Sequence, residues 1–268
     1  MRTWLRMFGR SRRFWKPLSK SIMSVDLLFL THNRLEFTKA SLDALYRNTE
    51  WKRVSGLWLF DDASEDGTLE LVAAFSNRPG LPKTVMVAGT FGSPIEAMRE
   101  FFQVAGTELV VKIDSDVMLP PGWLGDALDV MEKSPEVDLL GIEARGETYR
   151  SKPSGSFRVA DPAKFIGGIG IFRLPSIREA LQKMSLSCDW HSGKWFGWQS
   201  FQSVTQLRPA WIEPSLNVFL LDRMPLEPWA SLSDEYVRKG WQRPAPYRYG
   251  PEWSGLWRWS PQVSLLSR

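Results

Sequence analysis

Cysteine, histidine and long apolar runs are scarce in this sequence. Its 268 residues include one cysteine, Cys188, which excludes an internal disulfide. The only histidines, His32 and His191, are too few for a zinc site built from cysteine and histidine ligands. No segment is apolar over the ~20 residues that a membrane-spanning helix needs. These absences favour a cytoplasmic protein.

Acidic residues are missing from residues 1–20, which carry seven lysines and arginines interleaved with aromatic residues. The whole chain has a net charge of +4, so the rest of it carries −3. The basic pI of 9.2 therefore comes from this tail, which argues against a protein that binds nucleic acid. The arginines at helical spacing are Arg2, Arg6, Arg10 and Arg13. We interpret the tail as a helix on an anionic membrane, with a disordered tail or a transit peptide as alternatives.

From residue 25 onward, short apolar runs alternate with residues at helical spacing. Strands are predicted at residues 25–30, 57–60, 84–88 and 109–113. This alternation predicts parallel βαβ units, whose ligands bind at the carboxyl ends of the strands. Residues 143–163, rich in glycine, serine, proline and charge, are predicted to form a mobile loop.

Acidic residues follow two of the predicted strands. Asp61 and Asp62 come after the second strand, and Asp114 and Asp116 after the fourth. Carboxylates at the end of a buried strand cost free energy unless a cation or a polar network satisfies them. A hard divalent ion, Mg²⁺ or Mn²⁺, carrying substrate phosphates would do so. A helix cap at 61–62 and a capped strand end at 114–116 are the structural alternatives.

In this order and spacing, the motifs resemble the family-2-like, GT-A type nucleotide-sugar glycosyltransferases over about residues 25–225. The segments that carry the resemblance are 25–33 (VDLLFLTHN), 60–68 (FDDASEDGT), 92–97, 111–116 (VKIDSD), 167–173 and 195–199. The resemblance implies an α/β fold, a Rossmann-like sandwich around a mostly parallel central sheet. It also divides the chain into three parts, which are a basic tail at 1–20, a GT-A domain at 21–225 and a Trp/Pro-rich extension at 226–268.

The resemblance also implies roles for single residues. Those expected to bind the nucleotide sugar are Thr31, Asn33, Asp61, Asp62, Lys112, Asp114, Gly167, Gly168 and Trp198. Those expected to hold Mn²⁺ or Mg²⁺ are Asp114, Asp116 and Asp222. The ion would bridge the diphosphate and act as a Lewis acid on the leaving nucleotide. Asp222 follows a predicted strand at 217–221 and stands where the family often supplies a histidine. An ion pair with Arg223 is its alternative role.

The expected general base is where this chain departs from the family. Inverting members carry an acid at the position of Gln199, and an amide cannot accept a proton at neutral pH. Asp189, ten residues upstream, is the expected substitute, and His191 is a weaker one. Retention of configuration is another outcome that the sequence leaves open.

Together these features predict a metal-dependent hexosyltransferase, inverting in outcome, that uses a UDP- or GDP-sugar. Its acceptor would be a glycan or a lipid-linked saccharide at the inner face of the membrane, as in polysaccharide biosynthesis. The alternative is a catalytically silent GT-A-like domain that binds a nucleotide or a glycan. A nucleotidyltransferase is disfavoured because residues 31–34 lack a Gly-rich loop with Arg or Lys.

Overall fold

The computed structural model describes residues 23–91, 94–143, 151–154, 157–160, 168–183, 207–213, 216, 218–224 and 227–239. The strands are β1 (Val25–Thr31), β2 (Val54–Asp62), β3 (Lys83–Gly89), β4 (Leu109–Asp114), β5 (Val117–Met118), β6 (Leu139–Gly141), β7 (Ser151–Ser154), β8 (Phe157–Ala160), β9 (Ile169–Arg173), β10 (Pro209–Glu213) and β11 (Phe219–Leu220). The α-helices are α1 (Leu35–Asn48), α2 (Thr68–Ser76), α3 (Pro94–Val104), α4 (Trp123–Lys133), α5 (Leu174–Lys183) and α6 (Trp229–Arg238). Two short 3₁₀-helices span Trp51–Arg53 and Leu221–Arg223.

Nine of the described strands form one sheet in the order β3-β2-β1-β4-β9-β6-β10-β8-β7. The first four are parallel to one another, whereas β9 runs antiparallel to both β4 and β6. Only β9 and β8 oppose the common direction of this sheet. The predicted α/β fold around a mostly parallel central sheet is therefore confirmed.

The central strands lie in this sheet because both of their faces are apolar. On β1, Val25, Leu27 and Phe29 join a core cluster with residues of α1, α2 and α4. The alternate residues Leu28 and Leu30 enter a second cluster with α3 and α5 on the opposite face. This two-residue alternation between two buried faces is typical of a parallel sheet covered by helices on both sides.

Two local predictions differ from the structure. Residues 143–163 were expected to form a loop, but β7 and β8 form an antiparallel hairpin there. Strand β8 also pairs with β10, which comes later in the chain and supplies hydrogen bonds that local composition does not signal. The strand expected at 217–221 is shorter, because Leu221–Arg223 closes into a 3₁₀-helix directly after β11.

Helix α6 lies within the range predicted as a C-terminal extension, and it packs against the core. Trp229 is buried and its ring stacks on Phe37 of α1, with the ring centroids 5.7 Å apart. Tyr236, two turns further along α6, also contacts the Phe37 ring at 5.4 Å. None of the helices in the described part of the chain combines the length and the apolar character needed to cross a membrane.

Candidate active site

The acidic residues meet at the carboxyl ends of β1, β2 and β4, which lie side by side and run in the same direction. Thr31 ends β1 and is paired in register with Asp61 on β2, while Asp114 ends β4 and is paired with Leu30. Two groups of acids can be distinguished here. The loop acids are Asp61 and Asp62, and the cation-paired acids are Asp114, Asp116 and Asp222.

Asp61 is fully buried, and neutral donors of the protein occupy its carboxylate. Thr31 Oγ1 donates to Asp61 Oδ2 at 2.7 Å, and the backbone N–H of Ser64 donates to Oδ1 at 2.9 Å. The hydroxyl of Ser64 gives a third bond at 2.6 Å to Oδ2. Asp61 thus ties the end of β1 to the loop after β2, and its predicted contact with a nucleotide stays a prediction.

Asn33 connects the same two loops from the other side. Its backbone N–H donates to Ser64 Oγ at 2.7 Å, and its side-chain Oδ1 accepts from the N–H of Glu65 at 2.8 Å. Asn33 has a φ of 53°, in the left-handed region that asparagine tolerates better than most residues. In this structure, therefore, Asn33 holds the turn before α1.

Asp62 differs from Asp61 because its side chain is only half-buried. Its Oδ1 accepts a 2.7 Å hydrogen bond from the backbone N–H of Phe91, just after β3. Phe91 in turn stacks on Phe60 of β2, with centroids 5.3 Å apart. This arrangement leaves Asp62 at the surface of the crevice, where the resemblance predicts that it contacts a ribose or a base.

Lys112 and Asp114 form an ion pair at the end of β4. Lys112 is buried, and its Nζ lies 2.5 Å from Asp114 Oδ1 and 3.5 Å from the carbonyl oxygen of Gly168. Burial raises the pKa of Asp114 to about 6; Lys112 opposes this shift, while Asp116 and Glu143 add to it. Lys112 was predicted to bind the sugar nucleotide, and the structure places its ammonium group against Asp114.

Gly168 closes this side of the crevice. Its carbonyl oxygen accepts from the N–H of Asp114 at 2.8 Å, and its N–H donates to Glu143 Oε2 at 3.1 Å. A Cβ on Gly168 would overlap Leu220, at 2.5 Å from a methyl carbon, and would lie 3.5 Å from Asp114 Oδ2. The lack of a side chain at Gly168 therefore lets Leu220 pack directly against the backbone before β9. The buried Glu143 was not among the residues singled out from the sequence.

Asp116 and Asp222, named here the acid pair, come together although they are far apart in the sequence. Strand β5 follows Asp116 and pairs with β11, which precedes Asp222. The N–H of Leu221 donates to the carbonyl oxygen of Asp116 at 2.8 Å. Both side chains are buried, and burial together with the neighbouring Asp116 raises the pKa of Asp222 well above its usual range. Two neighbouring buried carboxylates repel each other when both are ionised.

Arg34 is the cation that faces the acid pair. Its Nη2 lies 3.3 Å from Asp116 Oδ2 and 3.4 Å from Asp222 Oδ2. The guanidinium also lies over the rings of Phe37 and Tyr236, at 4.6 Å and 5.8 Å from their centroids. Arg34 is 8% exposed and has a φ of 68°. Sequence reasoning missed Arg34, because its contacts are distant in sequence; the signal available was that buried acids require a buried cation.

The donor atoms of the acid pair fit a divalent ion. They are carboxylate oxygens, the ligands that Mg²⁺ and Mn²⁺ prefer. Within the described part of the chain, Asp222 Oδ1 is buried and has no hydrogen-bond partner. The described residues contain no group of three acidic, histidine or cysteine side chains arranged to hold a metal ion as they stand. The predicted ligand set of Asp114, Asp116 and Asp222 stays a prediction.

Five predicted site residues lie outside the described residues. They are the catalytic candidates Asp189, His191 and Gln199 and the sugar-binding candidates Gly167 and Trp198. The basic tail at 1–20 lies outside the described residues as well. Among the described residues, the structure brings together the nucleotide-binding and metal-binding candidates at the ends of β1, β2 and β4 and in the 3₁₀-helix after β11.

A family model described as Glycosyl transferase family 2 matches residues 27–189, more than half of the chain. This range begins in β1 and includes the loop acids, Asp114 and Asp116. Asp222 and α6 come after the matched range. No curated protein sequence matches the chain significantly.

Solved structures share the fold at low sequence identity. S. aureus TarS 1-349 in complex with UDP-GlcNAc is 18% identical over 74% of this chain and 58% of that chain, with a TM-score of 0.53. S. aureus TarS is 16% identical over 88% of this chain and 47% of that chain, with a TM-score of 0.54. GalNAc-T7 with UDP, GalNAc and Mn²⁺ is 12% identical over 75% and 44% of the two chains, with a TM-score of 0.51. The present chain thus spans about half the length of these structures.

Proposed function

Because this chain belongs to glycosyl transferase family 2, we propose that it transfers a hexosyl group from a UDP- or GDP-sugar to a saccharide or lipid-linked acceptor. Four acids stand at the carboxyl ends of β2 and β4, and Asp222 joins them through its shared contact with Arg34; this gathering carries the proposal. Ligands of open α/β sheets bind in the crevice at this edge. TarS and GalNAc-T7, which share the fold, were solved with UDP-GlcNAc and with UDP, GalNAc and Mn²⁺, which supports a nucleoside diphosphate sugar as the donor.

In the proposed reaction, the two acid groups have separate tasks. Asp62, which reaches the surface of the crevice, accepts hydrogen bonds from the base or the ribose of the donor. Asp61, Thr31 and Asn33 hold the two loops that shape this part of the site. Gly168, whose backbone contacts Asp114, lies under the donor sugar together with Gly167 in this proposal.

The cation-paired acids hold Mn²⁺ or Mg²⁺ in this proposal. A divalent ion bound there would supply the positive charge that stabilises the diphosphate leaving group. Arg34 and Lys112 counteract the effect of burial on the pKa values of Asp222 and Asp114, respectively. Both pKa values nevertheless stay above their ordinary range, and a bound cation would favour the anionic form of each carboxylate.

We further propose an inverting outcome, with Asp189 as the general base and Gln199 and Trp198 at the acceptor. The amide of Gln199 supports the competing proposal of a silent domain that binds nucleotides or glycans, since an amide is no base. The basic tail at 1–20 supports a lipid-linked acceptor at the inner face of the membrane. We also propose that the chain consists of a basic tail at 1–20, a GT-A domain at 21–225 and a C-terminal extension at 226–268.

The first experiment measures thermal unfolding of the full chain with a panel of nucleotide sugars, with and without Mn²⁺. Binding to the folded state alone must raise the melting temperature, so one donor is expected to stand out, and more so with Mn²⁺. Donor hydrolysis and transfer to an acceptor panel are then measured with that nucleotide sugar. Turnover supports the enzyme, whereas binding without turnover across a broad panel favours the silent domain.

The membrane part of the proposal has its own experiment. A variant that lacks residues 1–20 is compared with the full chain in sedimentation with vesicles that contain phosphatidylserine. We expect the full chain to sediment and the shortened chain to remain in solution, because the tail carries the positive charge. Equal sedimentation of the two forms would show that residues 1–20 do not attach the protein to the membrane.

A further inference from the structure

The acid pair has a resident cation of its own. One nitrogen of Arg34, Nη2, lies within 3.4 Å of an oxygen from each acid, Asp116 Oδ2 and Asp222 Oδ2. An ion held by both carboxylates would compete for these same two oxygens. A guanidinium stays charged at any ordinary pH, so it cannot give up the position by losing a proton.

Arg34 is held in this position by the elements around it. Asn33 and Arg34 both have positive φ values, and this turn brings the side chain to the acid pair. The guanidinium lies on Phe37 of α1 and near Tyr236 of α6, so aromatic faces cover the cation. The position of Arg34 thus depends on contacts from three parts of the chain.

The acid pair is nevertheless incompletely satisfied. Asp222 Oδ1 is buried and has no hydrogen-bond partner among the described residues. A divalent ion in the position of Arg34 would bring a second positive charge to the two carboxylates.

From this geometry we infer that Arg34 occupies the acid pair as a placeholder and that a divalent ion must displace it to reach both carboxylates. This inference rests on the proposed function, because it concerns the metal that the proposed reaction uses. It assigns Arg34 a regulatory task at the site, as an internal competitor of the metal. It also predicts that metal binding moves the Arg34 side chain away from Asp222.

The experiment measures Mn²⁺ binding to the nucleotide-free full chain by electron paramagnetic resonance, which detects the free ion. Arg34→Gln removes the competing charge, so its affinity for Mn²⁺ is expected to rise by about threefold or more. Arg34→Lys keeps a cation and is expected to stay nearer to the wild type. Arg47→Gln is the matched control, since Arg47 is an exposed partner of Asp43 on α1 and its loss should leave the affinity unchanged.

Asp116→Asn shows whether the measured ion is at the acid pair. Its binding is expected to be much weaker than that of the wild type. Equal Mn²⁺ affinity in Asp116→Asn and the wild type would place the ion elsewhere and overturn the inference. Unchanged or weaker binding by Arg34→Gln would also overturn it. If donor turnover persists in that case, the proposed function stands without the placeholder.

A measurement on the wild type covers the case in which Arg34→Gln does not fold. Arginine side-chain ¹⁵N resonances are recorded during titration with Mg²⁺, and Arg34→Lys identifies the Arg34 signal. The signal is expected to shift as Mg²⁺ binds and the guanidinium leaves the acid pair. An unchanged Arg34 signal at saturating Mg²⁺, or a wild type that binds neither ion, would overturn the inference.

Discussion

Asp61 on β2 and Asp116 after β4 are buried carboxylates at the same edge of the sheet, but their partners differ. Asp61 accepts three hydrogen bonds from neutral donors of Thr31 and Ser64. Asp116 faces the guanidinium of Arg34 and a second acid, Asp222. The first acid is satisfied by the loops that it joins, whereas the second belongs to a balance of charges that an incoming cation can change. We therefore expect Asp61 to contribute mainly to the stability of the loops and Asp116 to contribute mainly to cation binding.

The largest expected effect concerns the cation-paired acids. Asp116→Asn removes one charge from the proposed metal site, and donor turnover with Mn²⁺ should fall by roughly 1,000-fold, or ~4 kcal/mol. The free energy of unfolding should change by less than about 1 kcal/mol, because Arg34 keeps Asp222 as its partner and the repulsion between the acids is relieved. Steady-state kinetics and urea unfolding measure the two effects.

The matched control for this substitution is Asp129→Asn, which removes an exposed acid on α4. Its turnover should equal that of the wild type. A turnover for Asp116→Asn within about threefold of this control would be incompatible with an acid that holds the metal.

For Asp61 the main effect should be on stability. Asp61→Ala leaves the hydroxyl of Thr31 and the N–H of Ser64 without their acceptor in a buried position, which should cost about 3 kcal/mol in the free energy of unfolding. Asp61→Asn keeps the shape and one acceptor oxygen, so its loss should be smaller. Urea unfolding of both variants measures the costs. A cost below about 1 kcal/mol for Asp61→Ala would mean that the loops do not depend on this carboxylate.

The pH dependence of stability should also separate the two groups. The pKa of Asp114 is about 6 in the folded chain, against an ordinary value of 3.8. Between these pH values the folded chain binds more protons than the unfolded chain, so Asp114 lowers stability as the pH rises from 3.8 to 6. This contribution is absent from Asp114→Asn.

Thermal unfolding in the presence of a chelator, at a series of pH values across this range, measures the difference. The melting temperature of Asp114→Asn relative to the wild type should rise as the pH rises. A constant difference between the two proteins across this range would mean that Asp114 titrates normally.

The smallest expected effect is that of Ser64→Ala, which sharpens the comparison within the loops. The Ser64 hydroxyl donates to Asp61 and accepts from the N–H of Asn33. Its loss should lower the free energy of unfolding by about 1 kcal/mol. The affinity for the nucleotide sugar, measured by calorimetry, should stay unchanged because Ser64 acts within the loops. A tenfold loss of affinity with unchanged stability would instead make Ser64 a donor contact.

Local patterns in the sequence were sufficient to predict the parallel part of the sheet. The apolar runs that form β1 and β4 are short and buried, acids stand at the ends of β2 and β4, and two-residue alternation assigns the side chains to the two faces. The placement of Asp61 and Asp114 at one edge then follows from parallel strand direction alone. The family match over residues 27–189 confirms the resemblance on which the further site predictions rest.

The remaining features depend on contacts between distant parts of the chain. Arg34 meets Asp116 and Asp222 only after β4, β5 and β11 are in place, so no spacing in the sequence indicates the contact. Glu143 reaches Gly168 in the same way. The hairpin of β7 and β8 is favoured by pairing with β10, and local composition alone suggested a loop.

The short pairing of β5 with β11 has a consequence for the order in which the molecule is made. Asp116 is synthesised well before Asp222. The pairing of β5 with β11 can bring the two residues together only after both strands have been made. On the ribosome, the nascent chain can form its parallel strands while Arg34 has a single acidic partner. A product terminated ahead of residue 222 would thus contain the residues of all nine strands of the large sheet, yet lack the second carboxylate that pairs with Arg34.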